Sequence, residues 1–198
     1  MATHFDPAAA AQPGSGIFGL PHSPDEAHVV VIPVPFEATT SYGGGTSNGP
    51  AALLEASKQV DLFDVETGRP YERGIAMLEA PAELHEWNER AKVLAAAKDV
   101  NGFSEKLNEH VYRTAKQWIE QGKLVAAVGG DHAISFGIIQ AHAEKYPGMG
   151  VLHLDAHADL RVAYEGFTWS HASIFYNVCE RIPGVTTLVQ VGLRDMSE

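Results

Sequence analysis

Two short apolar runs most restrict the folds that this chain can adopt. Residues His28–Val34 and Leu124–Val128 carry small or β-branched apolar side chains at nearly every position. A strand that is apolar on both faces is typical of a parallel sheet covered by helices. The second run leads directly into Gly129-Gly130-Asp131-His132 and then into a predicted helix from Ala133 to about Tyr146. This unit predicts an α/β fold with His132 at the carboxyl end of a strand, the edge where open α/β sheets bind ligands.

A third strand-like run, Gly150–Asp159, ends in three potential metal ligands. Apolar side chains alternate along it with Asp155, His157 and Asp159. Because successive side chains of a strand point to opposite faces, these three would share one face of an extended chain. Since this run follows the one that ends at His132, we expect all four side chains to meet at the same sheet edge.

The four residues form a mixed nitrogen and oxygen donor set. Such a set suits Mn, Fe, Zn or Ni rather than Ca or a metal that prefers thiolates. Taken singly, a histidine after a glycine turn is commonly structural, and an aspartate at a strand end commonly caps a helix. Carboxylates this close together would repel each other and be costly to bury without a cation. The sequence therefore predicts a metal centre, with the ligands His132, Asp155, His157 and Asp159.

Three other polar residues near these motifs have different predicted roles. His153 lies deeper in its strand, which favours a core histidine with its hydrogen bonds made. Asp131 precedes His132 and is predicted to hydrogen-bond a ligand or the backbone of the turn. His171 lies in a polar loop, where it is either a proton shuttle that titrates near neutral pH or an ordinary surface histidine.

Composition bears on the partners of the chain. The 198 residues carry 25 acidic and 14 basic side chains, a net charge of -11, without a Lys/Arg cluster. This balance argues against nucleic acid or an anionic membrane and suits a cationic small molecule or a metal. The single cysteine excludes an internal disulfide and a cysteine-based zinc cage, and it favours a reducing cytoplasm. We identify no membrane-spanning run and no targeting signal.

The remaining elements follow from local pattern. Residues Met1–Glu26 are rich in Ala, Pro and Gly and are predicted to form an irregular arm on the surface or on a neighbouring subunit. Residues 27–198 are predicted to form one domain. Its other elements are expected to be helices from Pro50 to about Phe63, Ala82 to Asp99 and Ser104 to Gln121, the last ended by Gly122, and strands at 75–78 and 186–193.

The two histidine and aspartate motifs together resemble a known family. Gly-Gly-Asp-His at positions 129–132 and Asp-Ala-His-Ala-Asp at positions 155–159 are similar to the paired motifs of the ureohydrolase superfamily of arginases, agmatinases and formimidoylglutamases. The segments Gly43–Ala52 and Val191–Arg194 also look like this family. The resemblance implies a three-layer α/β/α fold with a parallel sheet. It also implies manganese-dependent hydrolysis of a guanidino or amidino C–N bond.

The resemblance assigns a role to each candidate residue. His132 and Asp159 would bind one manganese ion, His157 would bind the other, and Asp155 would bridge both. A hydroxide between the two metals would attack the guanidinium or formimidoyl carbon. His171 would match the family's proton-relaying histidine, although this chain has alanine after it where the family commonly has glycine.

The resemblance also indicates the substrate and the assembly. It implies a cationic guanidino substrate and a homo-oligomer, a trimer or hexamer, in the cytoplasm. Agmatinase is the preferred activity, because no feature for clamping an amino acid's carboxylate is evident. Arginase, formimidoylglutamase and other guanidino hydrolases of the family remain open.

One family feature does not appear before Glu198. The family completes its two-metal site with an Asp-x-Asp motif on a later strand, and Asp155 and Asp159 alone balance two of the four positive charges of two divalent ions. The family also inserts its last strands between the third and fourth, so we expect a sheet split at its centre. We interpret the chain as an N-terminal fragment, inactive alone, whose domain lacks its C-terminal strands. The alternatives are a truncated pseudoenzyme or metal-binding oligomer subunit without catalysis, and a zinc amide deacetylase of related fold.

Overall fold

The computed structural model describes residues 5–7, 9–94 and 97–195. Parts of the predicted arm (1–4 and 8), of the predicted helix from Ala82 to Asp99 (95–96) and of the predicted domain (196–198) therefore lie outside the described residues. The strands are β1 (Val29–Val34), β2 (Ile75–Met77), β3 (Leu124–Gly129), β4 (Met149–Leu154) and β5 (Val185–Val191). The helices are α1 (Gly49–Ala56), α2 (Ala82–Lys92), α3 (Ala97–Glu120), α4 (Ser135–Lys145) and α5 (Ile174–Arg181), with short 3-10 turns between several of these elements.

The strands form two separate parallel sheets. Strand β1 lies between β2 and β3, with Val29 opposite both Ile75 and Leu124. Strand β4 pairs with β5, and Val151 lies opposite Leu188. Strands β3 and β4 are not paired with each other in the described part of the chain. The parallel α/β architecture and the split at the centre of the sheet confirm the expectation from the sequence.

The apolar runs fill two cores. Val30, Ile32 and Val34 of β1 are fully or almost fully buried against helices α2 and α3. Burial of side chains of this size contributes about 1.5–3 kcal/mol each. A second core joins Phe136 of α4 to buried residues of α5 such as Phe175 and lies under the second sheet. Each sheet thus has its own core.

One face of the second sheet is apolar and exposed. Leu152 and Leu154 of β4 are 64% and 70% exposed, whereas His153 between them is 5% exposed. Val189 and Val191 of β5 are about half exposed on the same sheet. No other described part of the chain covers these four side chains.

Several predicted element boundaries were wrong. Strand β4 ends at Leu154, so the extended chain does not continue to Asp159. Helix α1 ends at Ala56 rather than near Phe63, because the Ser57 hydroxyl donates to the Leu54 carbonyl at 2.7 Å and terminates the regular pattern.

The third error concerns the boundary between the second and third helices. Helix α2 ends at Lys92, where the amide of Leu94 bonds to Ala91 with the spacing of a tight 3-10 turn. Helix α3 begins at Ala97 rather than Ser104, because its buried stripe already includes Val100, one turn before Ser104 and two before Leu107. The predicted end at Gly122 is confirmed, since Gly122 has the left-handed φ of 80° that suits glycine.

The N-terminal arm is partly packed onto the domain. Ile17 and Leu20 are 2% and 1% exposed; Ile17 begins a 3-10 turn, and Leu20 follows that turn directly. The amide of Phe18 donates to the Ser57 hydroxyl at 2.8 Å, which ties this turn to the end of α1. Among the described helices, none has the length and apolarity needed to span a membrane.

Candidate metal centre

A glycine turn after β3 carries His132 to the sheet edge. The amide of Asp131 donates to the Phe36 carbonyl at 3.0 Å, so the turn lies directly against the chain that leaves β1. A Cβ atom on Gly130 would stand 1.9 Å from that carbonyl oxygen. Only glycine permits this approach, which brings the ends of β1 and β3 together beside His132.

The Asp131 carboxylate stabilises the same turn through hydrogen bonds. Its Oδ1 accepts the amide of Ala133 at 2.9 Å, and its Oδ2 accepts both the amide and the hydroxyl of Thr39 at 3.0 and 2.8 Å. Burial raises the pKa of the Asp131 carboxyl, although these hydrogen bonds oppose the rise. The structure confirms the prediction that Asp131 binds the backbone of the turn.

The chain turns immediately after β4. The amide of Asp155 still pairs with Val191 of β5 at 3.1 Å, but Asp155 Oδ1 accepts the amide of His157 at 2.8 Å and closes a local turn. The strand alternation predicted as far as Asp159 therefore stops at Leu154. The side chains that follow are aimed by hydrogen bonds of the loop, not by the pleat of a strand.

Asp159 returns to the site through a left-handed backbone conformation. Its φ is 53°, a value that aspartate adopts more readily than most residues. Its carbonyl oxygen accepts the amides of Phe175 and Tyr176 at 3.0 and 3.3 Å, at the start of α5. Helix α5 thus holds Asp159 in place, and the residue is 9% exposed.

The structure brings three of the four predicted ligands together and adds His153. His132 Nδ1 lies 2.7 Å from Asp159 Oδ2 and 3.7 Å from Asp155 Oδ2. One donor atom from each of His132, His153, Asp155 and Asp159 lies within 4.8 Å of all the others. The ring of His157 stands outside this group, with its side chain 56% exposed and its Nδ1 3.4 Å from Asp155 Oδ1.

The electrostatics of the cluster favour an ionised Asp155 and a neutral His153. Burial opposes ionisation of Asp155, but the His157 amide and the imidazoles of His132 and His153 hold the pKa of Asp155 below its ordinary value. Burial and the neighbouring His132 lower the pKa of His153, while Asp155 and Asp159 act in the opposite direction. Carboxylates and neutral imidazoles are the forms that bind metals.

The donor set fits a divalent cation. The carboxylates of Asp155 and Asp159 balance two positive charges, and His132 supplies nitrogen at the same point. A mixed oxygen and nitrogen set of this kind suits a transition metal of intermediate softness. The described cluster therefore has the charge and chemistry for one ion, and a second ion would need further donors such as His157.

A cleft of about 270 Å³ opens onto this cluster. His171 lies on its wall and is held by the loop that follows β1. Its backbone amide donates to the Thr39 hydroxyl at 3.1 Å, and its ring Nε2 lies 3.2 Å from the Ser41 hydroxyl. The lining residues are Thr40, Ser41, Tyr42, Asp131, His132, Asp155, His157, Asp159 and His171.

The loop at 39–42 was not among the predicted site residues. Its place in the sequence was the available signal, because it follows β1 and the carboxyl ends of parallel strands lie at one edge. The chain that continues this loop as far as residue 47 is anchored by Glu37, whose side chain is 2% exposed. Glu37 Oε2 accepts the amides of Gly45 and Ser47 at 2.7 and 2.9 Å, and Oε1 binds Lys92 of α2 at 3.0 Å.

The chain is similar to proteins of one known family. The family model described as "Arginase family" matches residues 27–198. The N(1)-aminopropylagmatine ureohydrolase of Thermus thermophilus is 38% identical over 183 residues, which are 91% of this chain and 56% of that protein. The agmatinase of Bacillus anthracis is 29% identical over 86% of this chain and 53% of that protein.

A solved structure matches the fold of this chain over about half of its own length. Arginase from Medicago truncatula superimposes with a TM-score of 0.68 at 27% identity, over 87% of this chain and 52% of that one. The chain thus spans about half the length of the curated relatives it matches.

Proposed function

Because the chain belongs to the arginase family, we propose that the protein hydrolyses the guanidino group of a cationic alkylguanidine and releases urea in a manganese-dependent reaction. The observation that carries this proposal is the convergence of His132, Asp155 and Asp159 in one cleft with His171. A carboxylate-rich cleft in a chain of net charge -11 attracts a cationic substrate.

Two manganese ions are proposed for the active site. His132 and Asp159 would hold one ion, His157 would hold the other, and Asp155 would contact both. When bound, the ions would supply a hydroxide nucleophile at neutral pH and polarise the substrate. Asp155 and Asp159 balance one divalent ion, so the second ion requires carboxylates beyond these two.

The residues of the cleft would bind the substrate and move protons. The net reaction adds water across one C–N bond, so that the guanidinium carbon leaves in urea and the alkyl nitrogen leaves as an amine. That amine needs a proton, and His171, which lines the cleft, is proposed to deliver it. Ser41 contacts Nε2 of His171 at 3.2 Å and orients the ring.

The cleft favours an amine-bearing substrate over an amino acid. Its lining in the described residues includes no lysine or arginine that could clamp a carboxylate. Agmatine and N(1)-aminopropylagmatine, the substrates named by the relatives, carry a guanidinium and amines but no carboxylate. We therefore propose a substrate of this class, and a cytoplasmic homo-oligomer as the working form.

The test is a substrate panel with the whole protein after loading with Mn²⁺. Agmatine, N(1)-aminopropylagmatine, arginine and formimidoylglutamate would be supplied in turn, with urea measured for the first three and formamide for the last. We expect urea from one or both of the first two substrates. If manganese is bound and no substrate is turned over, the pseudoenzyme alternative is correct. One zinc ion per chain together with amide deacetylation would support the deacetylase.

A further inference from the structure

We propose that Gln190 and His153 form a hydrogen-bonded pair that presents a fixed N–H group to Asp155. Both would be positioning residues and not metal ligands. The inference rests on the proposed function in one respect, namely that Asp155 binds a metal ion. Distances alone group His153 with His132, Asp155 and Asp159. The proposal gives His153 a different role, as a support for a ligand and not as a ligand itself.

A backbone carbonyl fixes the orientation of the Gln190 amide. Its terminal nitrogen lies 2.7 Å from the carbonyl oxygen of Ala158. A carbonyl oxygen only accepts hydrogen bonds, so the group facing it must be the NH₂ of the amide. The reversed amide would place two oxygen atoms against each other at this distance.

The oriented amide of Gln190 in turn fixes the tautomer of His153. The same NH₂ group lies 2.9 Å from His153 Nδ1. One of its two hydrogens serves Ala158, and the other is donated to Nδ1, which must then carry a lone pair. An imidazolium ring has no lone pair to offer, so His153 is neutral with its proton on Nε2.

The Nε2–H group of His153 lies beside Asp155. His153 Nε2 is buried and has no hydrogen-bond partner in the described residues, and it lies 3.5 Å from Asp155 Oδ2. The other oxygen of Asp155 already accepts the amide of His157. A buried donor without a partner is unfavourable, so the N–H of His153 favours an orientation of Asp155 that brings Oδ2 toward it.

The ring of His153 is held in this position by aromatic packing. Its centroid is 4.1 Å from that of Phe175, at an interplanar angle of 39°. Phe175 is 3% exposed and also contacts His132 edge-on at 5.6 Å. Rotation of His153 would break both the Gln190 bond and this stack, so the ring acts as a rigid support under Asp155.

The test reads the tautomer directly. Nitrogen NMR of the whole protein with ¹⁵N-labelled histidine would be recorded without metal and after addition of Zn²⁺, which is diamagnetic. We expect the proton of His153 on Nε2 in both states. A proton on Nδ1 in the metal-free protein would mean that Nε2 has no N–H group to offer to Asp155. Loss of the Nε2 proton when Zn²⁺ binds would show that His153 is a ligand. Either result would overturn the proposal.

Gln190→Glu tests the pair, with Gln117→Glu on the exposed face of α3 as the matched control. A carboxylate cannot donate to Nδ1, so Gln190→Glu should move the His153 proton to Nδ1. It should also weaken Zn²⁺ binding by about 10-fold or more, as loss of a group that orients a ligand commonly does. Unchanged Zn²⁺ affinity with a moved proton would refute positioning of Asp155.

These readouts are independent of turnover. If the protein binds Zn²⁺ and shows the expected tautomer but hydrolyses no guanidino compound, the proposed function fails and the positioning role stands. Should Gln190→Glu fail to fold, the spectra of the unaltered protein still decide the question.

Discussion

Replacement of Glu37 by glutamine should reveal how the loop at 39–47 is held over the site. The carboxylate is 2% exposed, binds Lys92 at 3.0 Å and accepts two backbone amides and the Thr46 hydroxyl of the loop. A glutamine side chain at this position would keep one acceptor oxygen but place its NH₂ group against either Lys92 or the loop amides. An N–H donor of Lys92 or of the loop would then face the N–H donors of the glutamine.

The magnitude follows from the pKa of this carboxyl. Burial alone would raise the pKa, but the bonds from Ser47, Lys92, Thr46 and Gly45 outweigh it and lower the pKa from 4.5 to about 2. That difference corresponds to at most about 3 kcal/mol between the ionised and protonated forms. Lys92 is 38% exposed, so water screens part of its attraction. We expect Glu37→Gln to lower the free energy of unfolding by about 2 kcal/mol at neutral pH.

The sign of the pH dependence is fixed by the direction of the shift. Because the pKa of Glu37 is lower in the folded than in the unfolded protein, its stabilising effect is complete above the ordinary value of 4.5. The effect is lost as the pH falls from 4.5 towards about 2. The difference in unfolding free energy between the two proteins should therefore be constant at higher pH and narrow across this window.

The assay is urea unfolding of metal-free whole protein, followed by circular dichroism across a pH series. Glu89→Gln is the matched control, because Glu89 also binds Lys92, at 3.4 Å, but is 70% exposed. We expect the control to change the unfolding free energy by less than about 0.5 kcal/mol. Equal effects of the two substitutions, or a Glu37→Gln effect that does not vary with pH, would refute the reasoning.

Two further predictions follow from the cleft and the turn beside it. His171→Ala should lower kcat on the preferred guanidino substrate by about 100-fold or more and leave bound manganese unchanged, because it removes a proton donor that is not a ligand. Metal analysis together with steady-state kinetics checks this prediction. A normal kcat would show that His171 is an ordinary surface histidine. Gly130→Ala should lower the free energy of unfolding by more than about 3 kcal/mol, because the new Cβ would stand 1.9 Å from the Phe36 carbonyl oxygen. Thermal unfolding checks this prediction. An unchanged Tm would contradict the close approach of the two chain segments.

Much of the architecture could be predicted because it depends on local pattern. The runs that became β1 and β3 are apolar at nearly every position, and a glycine turn at a strand end directs the next residue to the sheet edge. These two facts were enough to bring His132 to the carboxyl edge. The family's strand order was enough to predict the gap between β3 and β4.

The remaining features depend on contacts that periodicity does not encode. Alternation predicts side-chain direction only inside a strand, and β4 ends at Leu154. His157 therefore lies beside the cluster, 3.4 Å from Asp155, and His153 lies within it. Gln190 reaches His153 only because β4 and β5 are neighbours. Glu37 belongs to no motif that the sequence shows, and its partner Lys92 lies on a helix 55 residues further along the chain.

The central claim is that the cluster at the sheet edge holds the metal on which guanidino hydrolysis depends. The most direct test measures bound Mn²⁺ and urea formation on the same preparations of the unaltered whole protein and of Asp155→Asn. The account predicts that the unaltered protein binds manganese and forms urea, whereas Asp155→Asn binds manganese at least about 100-fold more weakly and forms no urea above background. Urea formation by Asp155→Asn at the rate of the unaltered protein would contradict it.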